Sequence, residues 1–315
     1  MQILYLVDKK TYLTKMSRVR FHGIKALSKI TNVHYSGIGW DDFDNNKTVQ
    51  QNIENIYNIN NIQKFHIVIA YKPLEMKHFK DINILKCIRY NEMYNISSTL
   101  NEIKGSGAQL VICHHLNDCK KYQNMNIPYV SFVYIGHCAE KTIFKNLNLP
   151  KKYDILLAGY ISPHYPLRNR FIRLFPKLQK KFICHKHRHP GYNLKDSYTD
   201  RYLVEMACAI NKSRITLTDT GIPRSRYGKY IEIPMCGSSA ICGDLPDDNA
   251  DDYSFIINVN NNMTDDQIIN KISYYLENED KRLEKVKKGI EFSQNYTQEH
   301  YAKRLLEEIQ LFIFQ

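Results

Sequence analysis

Short, continuous apolar runs recur along the whole chain, and they constrain its fold more than any other feature. They lie at residues 3–7, 33–38, 65–70, 109–113, 129–134, 154–157, 182–184, 214–217, 239–242 and 254–257. Uninterrupted runs of this length are typical of parallel strands that are covered on both faces. Helical patterns separate many of them, for example at residues 21–29, 168–178, 200–209, 227–235 and 265–279. The alternation therefore predicts an α/β fold with open parallel sheets.

The number of strands and the chain length indicate two domains. Ten strands are more than one doubly wound sheet usually holds, and 315 residues suffice for two domains of ordinary size. We place the boundary at Pro150, giving domains at residues 1–150 and 151–296. Residues 45–63 are rich in Asn and Ile and form either a helix or a long loop. Residues 297–315 form an amphipathic helix whose apolar face must dock on one of the domains.

Composition excludes several classes of protein. With 43% hydrophobic and 24% charged residues, the chain is neither disordered nor a collagen nor a coiled coil. The sequence holds no apolar run of the length that a membrane span needs. The first apolar run has no basic lead-in, so we interpret it as a strand and not as a signal peptide. Eight scattered cysteines without a CxxC pair indicate reduced thiols and a cytoplasmic protein, in the host cytoplasm if the source is a virus.

The charge distribution points to an anionic partner. The net charge is +12, and residues 151–229 alone carry 17 Lys and Arg against 5 Asp and Glu. Such an excess favours binding to nucleic acid, to phosphorylated small molecules or to an anionic membrane surface. Charge alone leaves these three alternatives open.

The segment from Ile215 to Asp244 carries the most functional information. It reads as a strand, a loop with cations, a short helix, a glycine turn, a second strand and an acidic loop. In open α/β sheets, ligands lie at the carboxyl ends of strands, where Arg224, Arg226 and Lys229 would suit a diphosphate. Glu232 could accept hydrogen bonds from a ribose diol. The alternative interpretation is a plain helix with a solvated basic entry.

This segment resembles a known family. Lys229-Tyr-Ile-Glu-Ile-Pro-Met-Cys-Gly-Ser238 resembles the donor motif of GT-B glycosyltransferases of the group 1 type, closest to the spore-maturation-protein-like branch. Residues 152–159 with Tyr165-Pro-Leu-Arg168, and residues 265–306, resemble the opening and closing elements of that branch. Before residue 150 the similarity is one of outline only, through Glu92-Met and residues 114–118.

The resemblance implies two Rossmann-like doubly wound domains that face each other across a cleft. The first would hold the acceptor, the second a nucleotide sugar, and the final helix would cross back to the first. It implies a hexosyl- or pentosyltransferase that uses a UDP- or GDP-sugar without a metal or another cofactor. The acceptor would be a glycan, a lipid or a protein, and peripheral membrane contact is compatible with this. The donor-binding residues would be Arg224, Arg226, Lys229, Tyr230, Glu232, Gly237 and Ser238.

The sequence departs from the family pattern at two places. Retaining members often carry Glu-x7-Glu, and the first glutamate of that motif would fall at Arg224. The stereochemical course, retaining or inverting, therefore stays open. The first loop, residues 8–20, also lacks the paired glycines that often lie beside the donor phosphates.

Three polar residues after a predicted strand are catalytic candidates. His114 and His115 end the strand at residues 109–113, and Asp118 follows them. One of the histidines could orient the acceptor hydroxyl or stabilise the departing phosphate, together with Asp118. A histidine pair bonded to the backbone of a loop is the alternative.

Two further motifs suggest metals but fit simpler interpretations. His185-Lys-His187-Arg-His189 has alternating histidines, yet no second ligand cluster with finger-like spacing accompanies it, so we expect a basic loop. Asp41-Asp42-Phe-Asp44 is interpreted as a solvated loop. We therefore predict no metal site.

Two rival functions remain. The basic stretch at residues 151–229 and 23 tyrosines would allow a nucleic-acid-binding protein, although no known RNA- or DNA-binding motif accompanies them. A degenerate, non-catalytic GT-B protein is compatible with Arg224. Transfer from a nucleotide sugar is the favoured prediction.

Overall fold

The computed structural model describes residues 1–14, 19–90, 93–192, 200–248 and 251–314. The first half runs β1 Gln2–Leu6, α1 Lys9–Thr14, α2 Val19–Leu27, β2 Asn32–Ser36, α3 Val49–Asn60, β3 Ile67–Ala70, β4 Leu85–Tyr90, α4 Ile96–Ser106, β5 Leu110–Cys113, α5 Leu116–Gln123 and β6 Ser131–Tyr134. The second half runs β7 Tyr153–Leu157, α6 Pro166–Leu178, β8 Cys184–Lys186, α7 Arg201–Asn211, β9 Ser213–Leu217, α8 Lys229–Met235, β10 Ala240–Gly243, β11 Ile257–Asn258, α9 Asp265–Glu277, α10 Glu279–Ser293 and α11 Gln298–Phe314.

The strands form two parallel sheets, as the apolar runs predict. The first has the order β2-β1-β3-β4-β5-β6 and the second β11-β10-β9-β7-β8. Each sheet begins with a strand in its interior, β1 or β7, at which the strand order reverses direction. Helices cover the sheets and bury cores such as Leu6, Ile53 and Val68 in the first half, and Leu157, Phe171 and Leu217 in the second. The fold class predicted from the sequence is therefore confirmed.

The chain divides into two compact units. Unit 1 holds residues 1–136 and 301–314, and unit 2 holds residues 137–192 and 200–300. The sequence placed the boundary at residue 150, whereas the chain changes units between residues 136 and 137. The difference arises because the segment after residue 137 pairs within unit 2: Ala139 forms a β-bridge with Thr297, and Gln298 Nε2 donates to the carbonyl of Cys138.

Strand β4 has no counterpart among the predicted strands, because two charged residues interrupt its apolar pattern. Lys86 and Arg89 are nevertheless buried. The Lys86 ammonium donates to the carbonyl of Ile82 at 2.8 Å, and Arg89 Nε donates to the hydroxyl of Tyr301 at 2.8 Å. Tyr301 belongs to α11, so this hydrogen bond ties the last helix to the sheet of unit 1.

Two chemical properties of the chain complete this description. Each of the eight cysteines is a free thiol. Across the described residues, no helix combines the length and the apolar character needed to cross a membrane.

Candidate functional site

The candidate site lies at the carboxyl edge of the sheet in unit 2. Strand β7 has β8 on one side and β9 on the other, so the strand order reverses there. In open α/β sheets, ligands bind outside the carboxyl ends of the strands at such a reversal. The loops that follow β7, β8 and β9 therefore define the region in which a ligand is expected.

A buried ion pair fixes two of these loops. Arg168 Nε lies 3.2 Å from Asp219 Oδ1, and both side chains are almost fully buried. Asp219 Oδ2 accepts hydrogen bonds from the backbone N–H groups of Leu167 and Arg168, each at 3.1 Å. Arg168 Nη1 donates to the carbonyl of Tyr160 at 3.0 Å. Burial raises the pKa of Asp219, and the charge of Arg168 partly offsets that effect.

Gly159 is required where the loop after β7 passes this ion pair. Its φ is +106°, and a Cβ atom at this position would lie 2.6 Å from Arg168 Nη1. A larger residue would therefore clash with the guanidinium as well as adopt a strained backbone. The pair of Arg168 and Asp219 sets the shape of the carboxyl edge.

Lys229 and Glu232 form an ion pair at the start of α8. They are three residues apart, so both side chains lie on one face of the helix, and each is 16% exposed. A Cβ on Gly228 would lie 3.1 Å from Glu232 Oε1, so the glycine leaves room for the carboxylate. The structure thus brings these two candidate donor-binding side chains together.

An aromatic box lies at the same edge of the sheet. We define it as Tyr160, His187, His189, Tyr192 and Tyr202. The ring centroids of His189 lie 5.2 Å from Tyr160 and from Tyr192, and 5.6 Å from Tyr202. Those of His187 and Tyr202 are 5.3 Å apart. The rings come from the loops after β7 and β8 and from α7.

The box adjoins the ion pair of Lys229 and Glu232. Burial lowers the pKa of His189 to about 4, and the charge of Lys229 contributes to this shift. Burial also lowers the pKa of His187, with smaller contributions from neighbouring cations that include Lys229. Burial raises the pKa of Tyr202, assisted by the charge of Glu232. At neutral pH the box therefore consists of uncharged rings beside one ammonium and one carboxylate.

The sequence missed the tyrosines of this box. Tyr160 lies just after the end of β7, where side chains of a loop can reach a ligand, and this position was the only feature of the sequence that could have indicated it. The histidines were interpreted as a basic loop, and His187 and His189 do lie in the loop after β8.

Arg224 and Arg226 each pair with an aspartate and do not join the ion pair of Lys229 and Glu232. Arg226 is buried, its Nη1 lies 2.8 Å from Asp251 Oδ2, and its guanidinium covers the ring of Tyr296 at 4.1 Å. Arg224 has a left-handed backbone with φ of +51°. Its Nε lies 3.5 Å from Asp247 Oδ2 at the surface. Arg226 therefore acts as a structural ion-pair partner inside unit 2, which the sequence did not anticipate.

Three other expected donor-binding residues lie within α8 or directly after it, and each has a role in the local fold. Tyr230 is fully buried, and its hydroxyl donates to the carbonyl of Asp244 at 2.7 Å. Gly237, with φ of +63°, ends α8. Ser238 follows it, and its carbonyl accepts a hydrogen bond from the Lys151 ammonium. Gly237 and Ser238 follow the C-terminal end of α8 and precede β10, whereas Lys229 begins the helix. They form the turn that connects α8 to that strand.

The catalytic candidates lie at the carboxyl end of β5 in unit 1. His114 and His115 are both buried. His114 Nδ1 lies 2.8 Å from the carbonyl of Ile135, so this nitrogen carries the proton and, in the neutral ring, Nε2 keeps the lone pair. Asp118 Oδ2 accepts a hydrogen bond from the backbone of Met93 at 3.1 Å, and burial raises its pKa.

The suspected metal motifs have other partners. His185 stacks on Tyr153 with ring centroids 4.4 Å apart, and Asp42 accepts hydrogen bonds from His34 and Ser36. Within the part of the chain that the structure describes, no group of three or more His, Cys, Asp or Glu residues is arranged to hold a metal ion.

Comparison with known proteins gives structural matches only. No protein-family model matches the chain, and a search of curated proteins also finds no match. Among solved structures, it is similar to a sucrose-phosphate synthase from Thermosynechococcus elongatus, with 12% identity, a TM-score of 0.66 and all of both chains covered. It is also similar to an alpha-glucosyltransferase in complex with UDP-glucose and DNA containing an abasic site, with 11% identity, a TM-score of 0.64, and 98% of this chain and 99% of that chain covered.

A third similar structure is Anabaena HepE in complex with UDP and glucose. Its identity is 9% and its TM-score 0.60, with 98% of this chain and 99% of that chain covered. At these identities the likeness establishes the fold, which is that of the GT-B glycosyltransferases. It therefore confirms the fold implied by the sequence resemblance.

Proposed function

We propose that this protein is a glycosyltransferase that moves a sugar from a nucleotide-sugar donor to an acceptor. The observation that carries the proposal is the ion pair of Lys229 and Glu232 beside the aromatic box, at the carboxyl edge where the strand order of unit 2 reverses. The GT-B fold and the neighbours that hold UDP, or UDP-glucose, support it.

Each part of this site suits one part of a nucleotide. The uncharged rings of the box offer stacking surfaces to a nucleobase. Glu232 can accept hydrogen bonds from a ribose diol, and Lys229 can donate to a diphosphate. During transfer the bond between the sugar and the diphosphate breaks, and negative charge grows on the leaving group. An ammonium at that place stabilises the transition state more than the ground state.

The proposal assigns complementary roles to the two units. Unit 2 binds the donor, and unit 1 presents the acceptor. His114 serves as the group that takes the proton of the acceptor hydroxyl, since its Nε2 keeps a lone pair in the neutral ring. His115 and Asp118 position the segment around it. Arg224 and Arg226 shape the loop after β9, and Arg224 also remains available to a diphosphate at the surface.

The finer assignments form part of the same proposal. UDP is the nucleotide we favour, because the neighbouring structures in complexes contain UDP or UDP-glucose. The sugar is a hexose or a pentose, and the branch is the spore-maturation-protein-like one. We place the protein in the cytoplasm, since its eight free thiols suit a reducing compartment.

A panel of nucleotide sugars tests the proposal. UDP-, GDP-, ADP- and CMP-sugars are titrated by calorimetry into the parent protein, into Glu232→Gln and into the control Glu284→Gln. Glu284 on α10 pairs with Lys281, also three residues away, and with Lys288, both at the exposed surface. We expect one nucleotide class to bind the parent and the control equally and Glu232→Gln about tenfold more weakly. Failure of every nucleotide sugar to bind would contradict the proposal.

A further inference from the structure

A cavity lies at the amino edge of the sheet in unit 1. Its volume is about 400 Å³, which is in the usual range for small-molecule sites. Its walls come from residues that precede or begin β3, β4 and β5, and from Ile313 in the last turn of α11. His114, the proposed proton acceptor, follows the opposite end of β5. The cavity is therefore separate from the groups that the proposed function uses.

A buried lysine without a carboxylate partner lines this cavity. Lys86 is 8% exposed, and its ammonium donates to the carbonyls of Ile82 at 2.8 Å and of Ile84 at 3.4 Å. Within the described part of the chain, no carboxylate forms an ion pair with Lys86; the nearby Asp81 pairs with His78 at 3.1 Å instead. A buried cation held by carbonyl groups alone is costly, because these dipoles replace only part of its hydration. An anion in the cavity would supply the opposite charge.

The other polar side chains of the cavity are mainly donors. The first backbone N–H of β1 donates to His66 Nδ1 at 3.0 Å, so the proton of the neutral ring lies on Nε2. The backbone N–H of Lys86 donates to Gln109 Oε1 at 3.2 Å, which leaves the amide NH₂ group of Gln109 as a donor. Lys64 adds a second ammonium at the exposed rim, and Asn83 can donate or accept. Among the described residues, the lining holds no Asp or Glu, so the cavity suits a ligand with strong acceptors.

The rest of the lining is apolar. Phe65 and Ile82 are buried, and Ile84, Leu85 and Ile313 are partly exposed. Apolar walls favour a ligand with an apolar body, since such a body removes them from water. An inorganic ion would leave these walls hydrated. Cations, donors and apolar walls together are therefore complementary to an organic anion.

The charged group of the cavity is held in place before any ligand binds. Lys86 lies in β4, in register with Val68 of β3, and its carbonyl accepts from the backbone N–H of Gln109 at 2.9 Å. Gly107 has a φ of +65°, and a Cβ there would lie 3.4 Å from Lys86 Cε. The glycine thus lets the lysine chain pass closely. A fixed side chain loses little conformational entropy when a ligand binds.

We infer that this cavity binds a small organic anion, whose carboxylate or phosphate group lies on Lys86 and whose apolar part lies against Phe65, Ile84 and Ile313. The amide of Gln109 donates to the same anionic group, and Lys64 adds its charge at the rim. The inference concerns a second ligand site in unit 1, and it does not depend on the proposed sugar transfer.

Calorimetry with four probes tests the inference: octanoate, octyl phosphate, uncharged octanamide and inorganic phosphate. The variants are Lys86→Met, which removes the charge but keeps an unbranched side chain, and Lys64→Met at the exposed rim. Lys104→Met is the control, because Lys104 is exposed on α4 and outside the lining. We expect octanoate or octyl phosphate to bind the parent and the control equally and Lys86→Met about tenfold or more weakly. Lys64→Met should lose about twofold to fivefold, since an exposed charge is screened.

Methyl NMR on isoleucine-labelled protein shows where the probe lies. The probe that binds should shift the Cδ1 methyl signals of Ile82, Ile84 and Ile313, which line the cavity. The signal of Ile241, buried in β10 of unit 2, should not move.

Four results would overturn the inference. Neither organic anion binds; octanamide or inorganic phosphate binds as tightly as they do; the methyl shifts fall outside the cavity; or Lys86→Met, shown by circular dichroism to be folded, binds as tightly as the parent. If Lys86→Met does not fold, an unchanged affinity in Lys64→Met overturns it instead. A titration of the parent with UDP is independent of these results, so each proposal can fail while the other stands.

Discussion

Replacing Lys229 with alanine should weaken the binding of a nucleoside diphosphate without weakening that of the nucleoside. The ammonium is proposed to donate to the diphosphate, and a charge-assisted hydrogen bond of this kind contributes about 1.5–3 kcal/mol. Uridine has no phosphate, so its affinity should change little. The variant should remain folded, because Lys229 is a partly exposed helix residue and not part of a core.

The ion pair with Glu232 changes the expected loss of diphosphate affinity in two opposing ways. In the free protein Lys229 already has a partner, so part of the new interaction replaces an existing one. In the variant, the carboxylate of Glu232 loses its counter-charge and repels the diphosphate. These effects partly cancel, so we expect UDP to bind about tenfold to a hundredfold more weakly.

Calorimetry with uridine and UDP at low and high salt measures this effect. The parent should lose affinity for UDP as salt rises, and Lys229→Ala should lose less, because one charge contact is gone. Lys281→Ala is the matched control, since Lys281 also pairs with a glutamate three residues away, but at an exposed surface. Equal UDP affinity in Lys229→Ala and the parent, or an equal loss for uridine, would refute the reasoning.

Three further predictions concern the metal, the scaffold and the pH dependence. Transfer should persist in EDTA; a loss that Mn²⁺ restores would instead implicate the acidic motif at residues 41–44. Arg168→Met should lower the free energy of unfolding by about 3–5 kcal/mol in urea titrations, because it leaves Asp219 buried without its partner, and a loss below about 1 kcal/mol would contradict this. His189 has a pKa of about 4 when folded and 6.5 when unfolded, so its contribution to stability should fall as pH falls from 6.5 to 4. In thermal unfolding, the stability of His189→Phe should therefore depend less steeply on pH between 6.5 and 4 than that of the parent. Equal slopes for the variant and the parent would argue against this role of His189.

The strands were predictable from the sequence where burial alone determines them. Most strands coincide with apolar runs, because both faces of a parallel sheet are covered. Strand β4 escaped prediction because Lys86 and Arg89 lie inside it. Their burial depends on carbonyl groups and on Tyr301, which is more than 200 residues away in the chain.

The candidate site was predictable where its residues are close in sequence. Lys229 and Glu232 share a helix face through their spacing, and that spacing is visible in the chain. Arg226 looked equivalent to Lys229, but its partner Asp251 lies 25 residues further on, and no local pattern reveals such a pair. The aromatic box likewise assembles from three separate segments, so only the folded chain shows it.

The most direct test of the account is transfer itself. The parent protein and the double variant Lys229→Ala/Glu232→Gln are incubated with a UDP-sugar and a panel of glycan, lipid and protein acceptors, and mass spectrometry follows each acceptor. We predict that the parent releases UDP and increases the acceptor mass by one sugar residue, and that the double variant does so at least about a hundredfold more slowly. Equal rates in both proteins, or no sugar added by the parent from any UDP-sugar that binds it, would contradict the account.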